Sequence, residues 1–222
     1  MANTNTTVRP ATIDDAEELI AVLAAAFHEG PVACWLVPDT GARHAVYHRY
    51  FTDAVDHGLA HGHVDTTADL SAVAIWYPRL EPSKGMPAER QPTLERLAGS
   101  CAPRFWLLES MFDTFHPQTP HHYLAYVAVR PERQNQGLGA ALLSHYHRRL
   151  DDRDLPAYLE ATNTRNRDLY RRLGYVAGPP LLLPGDDIPI WRMWRGTRTT
   201  TGRSPFPAGD RRARLADGFP RR

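Results

Sequence analysis

One stretch constrains the fold more than any other. An apolar, partly β-branched run, Leu124 to Val129, ends at Pro131. A polar turn with two spaced glycines, Gly137 and Gly139, follows, and an amphipathic pattern begins around Ala140-Ala141-Leu142-Leu143. This order reads as a strand running into a helix through a glycine-containing turn. Such a turn presents free backbone N–H groups at the helix N-terminus, where the positive end of the macrodipole sits. A side chain at the glycines would hold a phosphate away from the backbone. The local reading is an anion site for a pyrophosphate. The spacing Q-x-x-G-x-G from Gln134 to Gly139 is not a P-loop, since no Gly-Lys-Ser/Thr follows, and it is not the dinucleotide pattern G-x-G-x-x-G.

Composition narrows the remaining choices. A chain of 222 residues suffices for one well-packed domain, or a domain with a tail. Its 26 basic and 25 acidic residues nearly cancel, which argues against nucleic acid or an anionic membrane as the main partner. Cys34 and Cys101 are too few for a disulfide framework or a zinc site. Met1 to Arg9 lacks an apolar signal region, and no run approaches the ~20 apolar residues that a membrane span needs. A reduced cytoplasm is the expected location.

Thr7 to Pro10 reads as a short strand. Thr12 with Asp15 forms a capping-box-like start to a helix whose apolar stripe runs from Ile13 to Phe27 and stops at Gly30-Pro31. A second helical stretch runs from about Thr40 to His57. Strands are expected near His63 to Asp65 and Leu70 to Tyr77, the latter apolar throughout as a strand covered on both faces would be. Pro78 to Pro92 reads as a surface loop and Pro92 to Phe115 as helical. Pro156 to Ala161 reads as a strand, Asn163 to Leu173 as a short helix ended by Gly174, and Ile188 to Arg195 as the last strand. The pattern gives a domain over 1–195. Gly196 to Arg222, rich in Arg, Gly and Pro, reads as a disordered or loosely attached tail.

The glycine loop resembles the acetyl-CoA pyrophosphate loop of the GCN5-related N-acetyltransferases (the GNAT family), R/Q-x-x-G-x-G/A. Two further stretches carry the same resemblance. Leu159-Glu160-Ala161-Thr162-Asn163, followed by Leu169-Tyr170-Arg171-Arg172-Leu173-Gly174-Tyr175, is similar to the family's second signature, an Asn and then L-Y-x-x-x-G-F/Y. The opening Val8 to Asp15 with Ala24 to Phe27, the Pro156 to Tyr175 stretch and Trp191-x-Met193 are similar to puromycin N-acetyltransferases. The resemblance spans roughly Val8 to Arg195. It implies a mixed α/β (α+β) acyl-CoA N-acyltransferase fold: a central twisted, mostly antiparallel sheet with a parallel pair at the cofactor cleft, flanked by helices.

The reaction implied is attack of a neutral amine on the thioester carbonyl of acetyl-CoA. It needs aligned reactants, an exit for the amine proton, stabilisation of the oxyanion and a proton for the leaving thiolate. By resemblance, Val127, Ala128 and Val129 lend backbone groups to the pantetheine amides, and Gln134, Asn135, Gln136, Gly137, Leu138, Gly139 and Ala140 wrap the pyrophosphate. Arg133 adds a contact to a CoA phosphate or is merely solvated. Asn163 hydrogen-bonds the cofactor or caps its helix. Tyr170, a phenol protonated at neutral pH, is the candidate acid and a further cofactor contact. Glu160 is the candidate base, because strand ends of open sheets line the cleft. Tyr126, His121, His122, Glu109 and Asp113 remain rivals.

No metal is expected, since the eleven histidines form no pattern such as H-E-x-x-H. Trp35, Phe51, Tyr77, Trp106, Phe112 and Phe115 are candidates for an aromatic acceptor pocket or for plain core. The acceptor expected is a small-molecule amine. A protein N-terminus or lysine is the alternative within this chemistry, and an acetyl-CoA-binding regulatory module the alternative outside it. Homodimers are common in the resembled family, but no interface is legible here.

Overall fold

The computed structural model describes residues 6–185, 187–197 and 206. Its strands form one sheet in the order β1-β2-β3-β4-β5-β7-β6. These are β1 Val8–Pro10, β2 His63–Thr67, β3 Ala72–Arg79, β4 His121–Val129, β5 Ala157–Ala161, β6 Val176–Leu182 and β7 Pro189–Arg195. Neighbours run antiparallel except β4 and β5, which are parallel. Helices α1 Ala16–Ala26, α2 Pro31–Leu36, α3 Thr40–His61, α4 Arg90–Ala98 and α5 Ala102–Thr114 contribute to the core on one face. On the other face lie α6 Leu138–Asp151 and α7 Thr164–Arg172. No described helix is long and apolar enough to cross a membrane.

The unbroken apolar run of β3 follows from this layering. Val73 and Ile75 enter the first core while Ala72, Ala74 and Trp76 enter the second, so both sides of the pleat are dry. The Trp76 ring stacks on Tyr146 of α6 at 4.3 Å and 8° between planes, which fixes α6 against the sheet.

Some elements depart from the sequence pattern. Pro31 does more than end α1: as the first residue of α2 it supplies the pre-set φ a helix start favours. The stretch predicted as one helix over Pro92 to Phe115 divides at Gly99, whose φ of 55° lies in the left-handed region. The sequence pattern assigns no element to 176–182, where Gly178, Pro179 and Pro180 interrupt any strand run, yet the structure has β6 there. They are tolerated there because β6 is an edge strand whose register shifts between Ala177 and Pro180. Of the predicted tail, only Gly196, Thr197 and Phe206 lie among the described residues. Phe206 packs its ring 6.3 Å from that of Tyr158 and 5.0 Å from the Arg192 guanidinium.

The break that positions the site is in β4. Its pairing with β3 runs Ile75↔Tyr126 and then Trp76↔Leu124, so Ala125 is an extra, bulged residue. Leu124 and Tyr126 would share a face in a regular strand, yet Leu124 enters the α6 core and Tyr126 the opposite one. Beyond the bulge β4 keeps β3 but leaves β5. The parallel pairing covers only His122↔Ala157 and Tyr123↔Tyr158.

The amino-terminal turn is held by charge. Arg9 donates twice to the Asp15 carboxylate at 2.8 Å, and the Thr12 amide donates to it at 2.8 Å. Hydrogen bonds from Arg9 and then Thr12 hold the Asp15 carboxyl below the ordinary carboxylate range. Its contribution is therefore present above about pH 4 and fades as pH falls through the depressed value. Asp15→Ala is expected to cost about 1 kcal/mol at pH 7. In urea melts the gap from the parent chain should narrow as pH is lowered below about 4.

Candidate active site

A cavity of about 1060 Å³ opens where β4 and β5 part. Its walls include Val127, Ala128 and Val129 of β4, Leu159 and Glu160 of β5, and Asn163 and Tyr170. It extends into a chamber made by α1, α3, α5 and the segment between β3 and α4.

The β4 edge is the first functional element. Arg130 N–H donates to Ser71 O on the β3 side at 2.9 Å. By alternation the N–H groups of Val127 and Val129, and the Val127 carbonyl, point into the gap left by β5. The Val129 carbonyl accepts from the Gln134 side-chain amide at 3.2 Å. An exposed strand edge of alternating donors and acceptors suits an extended ligand that carries amides of its own.

At the end of that edge a 3-10 turn, Pro131–Arg133, leads to Gly137 at φ 82°, the N-cap of α6. No side chain caps this helix, so its first N–H groups remain available to an anion. Residues 134–140 do not line the enclosed cavity; they form the helix start next to its β4 wall. Arg133 is neither solvated alone nor free, but paired with Asp69 at 2.8 Å. Arg165, at the start of α7, reaches Gln134 and Asn135 and adds positive charge to this turn. The sequence reading missed it, although its place two residues after Asn163 puts it in the first turn of that helix.

Of the two roles considered for Asn163 from sequence, the structure shows the cap. Its Oδ1 caps α7 by accepting from Asn166 N at 2.8 Å, and the residue also lines the cavity. Tyr170 is 4% exposed and lines the same cavity. Burial pushes its phenol above the ordinary value, so it is fully protonated at pH 7.

Glu160 is half-buried on β5, and its Oε1 is enclosed with no hydrogen-bond partner of ordinary geometry. Burial raises its pKa to about 7, against the opposing pull of the Tyr158 and Tyr123 hydroxyls and of Arg192, its partner in register on β7. A carboxylate held near neutrality can accept a proton at the pH where it works.

Among the rivals, Tyr126, Glu109 and Asp113 line the cavity, whereas His121 and His122 do not. His122 bonds the Tyr146 hydroxyl at 2.9 Å on the α6 side. His121 Nδ1–H donates to Thr119 O at 2.7 Å, so its Nε2 accepts from His116 Nε2 at 3.0 Å. His116, which does line the cavity, was missed because it falls in the short connection after α5. Burial pushes it down to about 3 and His121 to about 4, leaving both neutral at pH 7. Of the predicted aromatic wall, Phe51, Tyr77 and Phe112 face the cavity, joined by Phe27, Tyr47, Tyr50 and Phe105. Trp35, Trp106 and Phe115 do not face it; the Trp35 indole instead donates to Pro184 O at 3.0 Å.

Comparison with known proteins meets this geometry. The model of the acetyltransferase (GNAT) family matches residues 77–175, from β3 through α7. A crystal structure from Corynebacterium glutamicum, of histone acetyltransferase HPA2 and related acetyltransferase, is 31% identical with a TM-score of 0.66, covering 86% of this chain and 96% of that one. An uncharacterized N-acetyltransferase of Schizosaccharomyces pombe is 24% identical over 205 residues, 83% of this chain and 81% of its own length. Arylalkylamine N-acetyltransferase 2 of Aedes aegypti shares the fold at 14% identity, with a TM-score of 0.60 over 87% of this chain and 99% of that one. The chain belongs to the GNAT family. It is an acetyltransferase, of a family that uses acetyl-CoA.

The two loop glycines answer to different constraints. Gly137 is held at a positive φ that L side chains adopt only with strain, whereas a Cβ at Gly139 would meet Val129 and Leu169 at 3.7 and 4.0 Å, ordinary contact. Gly137→Ala is expected to cost about 1 kcal/mol of stability and to weaken CoA binding several-fold. Gly139→Ala should leave the melting temperature within about 1 °C of the parent. Thermal melts and calorimetric titration with CoA check both.

Proposed function

We propose that the chain transfers the acetyl group of acetyl-CoA to the primary amine of a small molecule by direct attack, within the reducing cytoplasm. The observation that carries this reading is the continuity of one cavity. It holds the open β4 edge, the protonated phenol of Tyr170 and the near-neutral carboxylate of Glu160.

The pantetheine arm lies along Val127 to Val129, and the pyrophosphate rests on the N–H groups of residues 137–140, with Gln134, Asn135 and Gln136 around it and Asn163 on the α7 side. The Val127 or Val129 N–H faces the thioester carbonyl and steadies the charge that grows on its oxygen. The amine nitrogen forms the new C–N bond, the C–S bond breaks, Glu160 takes the amine proton and Tyr170 gives its proton to the thiolate. Burial keeps the Tyr170 proton in place until the thiolate, a stronger base than water, departs.

The chamber favours a small acceptor over a polypeptide. The segment joining β3 to α4 forms part of its wall and is tied to α5 by a hydrogen bond from Ser83 Oγ to Asp113 Oδ1 at 2.6 Å. Aromatic rings from α3 and α5, with Phe27 just after α1, offer a flat or apolar amine its contact surface. The amino-terminal, Pro156 to Tyr175 and Trp191-x-Met193 stretches support placing the enzyme beside puromycin N-acetyltransferases. Growth of a puromycin-treated host expressing the chain tests that narrower placement.

Release of free thiol from acetyl-CoA with a panel of amines tests the catalytic reading. On an accepted amine, kcat/KM should rise through a limb near pH 7 as Glu160 ionises. Glu160→Gln should remove that limb and lower the rate about 100-fold, and Tyr170→Phe should lower kcat by a similar factor. A limb unchanged in Glu160→Gln would assign the base elsewhere.

A further inference from the structure

The acceptor chamber contains charges that the transfer chemistry does not use. Arg90, the first residue of α4, turns its guanidinium inward. Its Nε and one terminal nitrogen donate to the two oxygens of Glu109 on α5 at 2.7 and 2.6 Å, and the other terminal nitrogen donates to Asp53 on α3 at 2.7 Å. The guanidinium carbon stands 5.8 Å from the centre of the Tyr50 ring. Tyr50 in turn donates its hydroxyl hydrogen to Glu109 Oε1 at 2.9 Å, and so accepts from the Tyr126 hydroxyl 3.0 Å away. All five residues line the cavity.

Two carboxylates and an aromatic face converging on one point make a seat for an alkylammonium or guanidinium ion. Here the chain's own side chain takes that seat, with 21% of its surface exposed. Burial alone would disfavour the charged guanidinium, but the hydrogen bonds to Glu109 and the attraction of the same carboxylate outweigh it, so Arg90 is held more firmly protonated than a free arginine. Both carboxylates are satisfied by it. An incoming ligand cation would have to displace a bidentate, partly buried arginine or lie beside its positive charge.

We propose that Arg90 is a specificity-determining residue. It occupies a cation seat in the acceptor chamber, so that the enzyme takes amines whose only cationic nitrogen is the one acetylated, carried on a neutral or aromatic body, and turns away diamines and guanidino-amines. The inference rests on the amine-acetylation reading above and names the substrate class of that site. Emptying the seat converts the preference: with Arg90 gone, Asp53, Glu109 and Tyr50 hold a second cationic group of the acceptor.

The test compares a guanidino-amine with an aryl monoamine. Agmatine and tyramine are titrated by calorimetry into the parent chain, Arg90→Ala and Arg90→Gln, without acetyl-CoA. The Gln variant keeps a donor for Glu109 and carries the comparison if two unneutralised carboxylates prevent the Ala variant from folding. Agmatine is expected to bind both variants at least about tenfold tighter than the parent, with tyramine changed less. Arg90→Gln combined with Glu109→Gln should lose the gain. In turnover, the agmatine-to-tyramine ratio of kcat/KM should rise by a similar factor, chiefly through KM. Agmatine binding the parent as tightly as the folded variants, or no gain in either variant, overturns the proposal. If no form acetylates any amine, the acetylation reading fails, while the binding comparison still decides the role of Arg90.

Discussion

The structure depends on a pairing that stops early. β4 and β5 are parallel neighbours in the middle of the sheet, where an interrupted ladder leaves backbone groups unpaired. The bulge at Ala125 turns β4 while its hydrogen bonds to β3 continue as far as Val129. The strand is therefore anchored along one edge and open along the other. Neither strand end can close the gap: β5 is held by β7 through five register positions, from Ala157↔Arg195 to Ala161↔Trp191, and β4 is fixed by β3. The cleft is a product of two rigid strands, and a ligand that completes the ladder meets a site already formed.

Within that cleft the acidic side chains fall into two environments. Glu109 and Asp53 are both paired with Arg90 and belong to the shape of the chamber. Glu160 has an enclosed Oε1 without a hydrogen-bond partner of ordinary geometry, and desolvation lifts its pKa to about 7. The contrast separates a desolvated carboxyl from carboxylates that hold a wall. Residue type alone does not draw this distinction, which shows only once Arg90 stands between Asp53 and Glu109. His116 and His121 have been made neutral by burial and linked to each other and to Thr119 O, so they add polarity near the cavity without adding charge.

The sequence revealed the parts with a short-range signature. The glycine turn was legible because Gly137, at a positive φ, opens a helix without a side-chain cap directly after an apolar strand. The dry strand β3 was legible from its unbroken apolar run, and Asn163 from its place before a short amphipathic helix. The strand–helix order, matched to known family signatures, carried the mixed sheet with its parallel pair. Less local features were hidden. The bulge at Ala125 leaves no mark in the composition of Leu124 to Val129, because it shows only when β4 is paired with β3. Edge strand β6 was masked by Gly178, Pro179 and Pro180, which an edge tolerates and a central strand would not. Arg90 fell within Pro78 to Pro92, the stretch read as a surface loop. Its meaning requires Asp53 and Glu109, 37 positions before it and 19 positions after, to arrive at the same point.

The central claim is that the β4 edge beyond Ala125 is where the thioester carrier docks. Amide hydrogen exchange of the chain with and without saturating acetyl-CoA tests this most directly, because the exchanging groups are the ones assigned. The account predicts that the Val127 and Val129 amides slow markedly on binding, together with the first-turn amides of α6, while Ala128, already bonded toward β3, changes little. Unchanged exchange at Val127 and Val129 in a chain that demonstrably binds acetyl-CoA would contradict it.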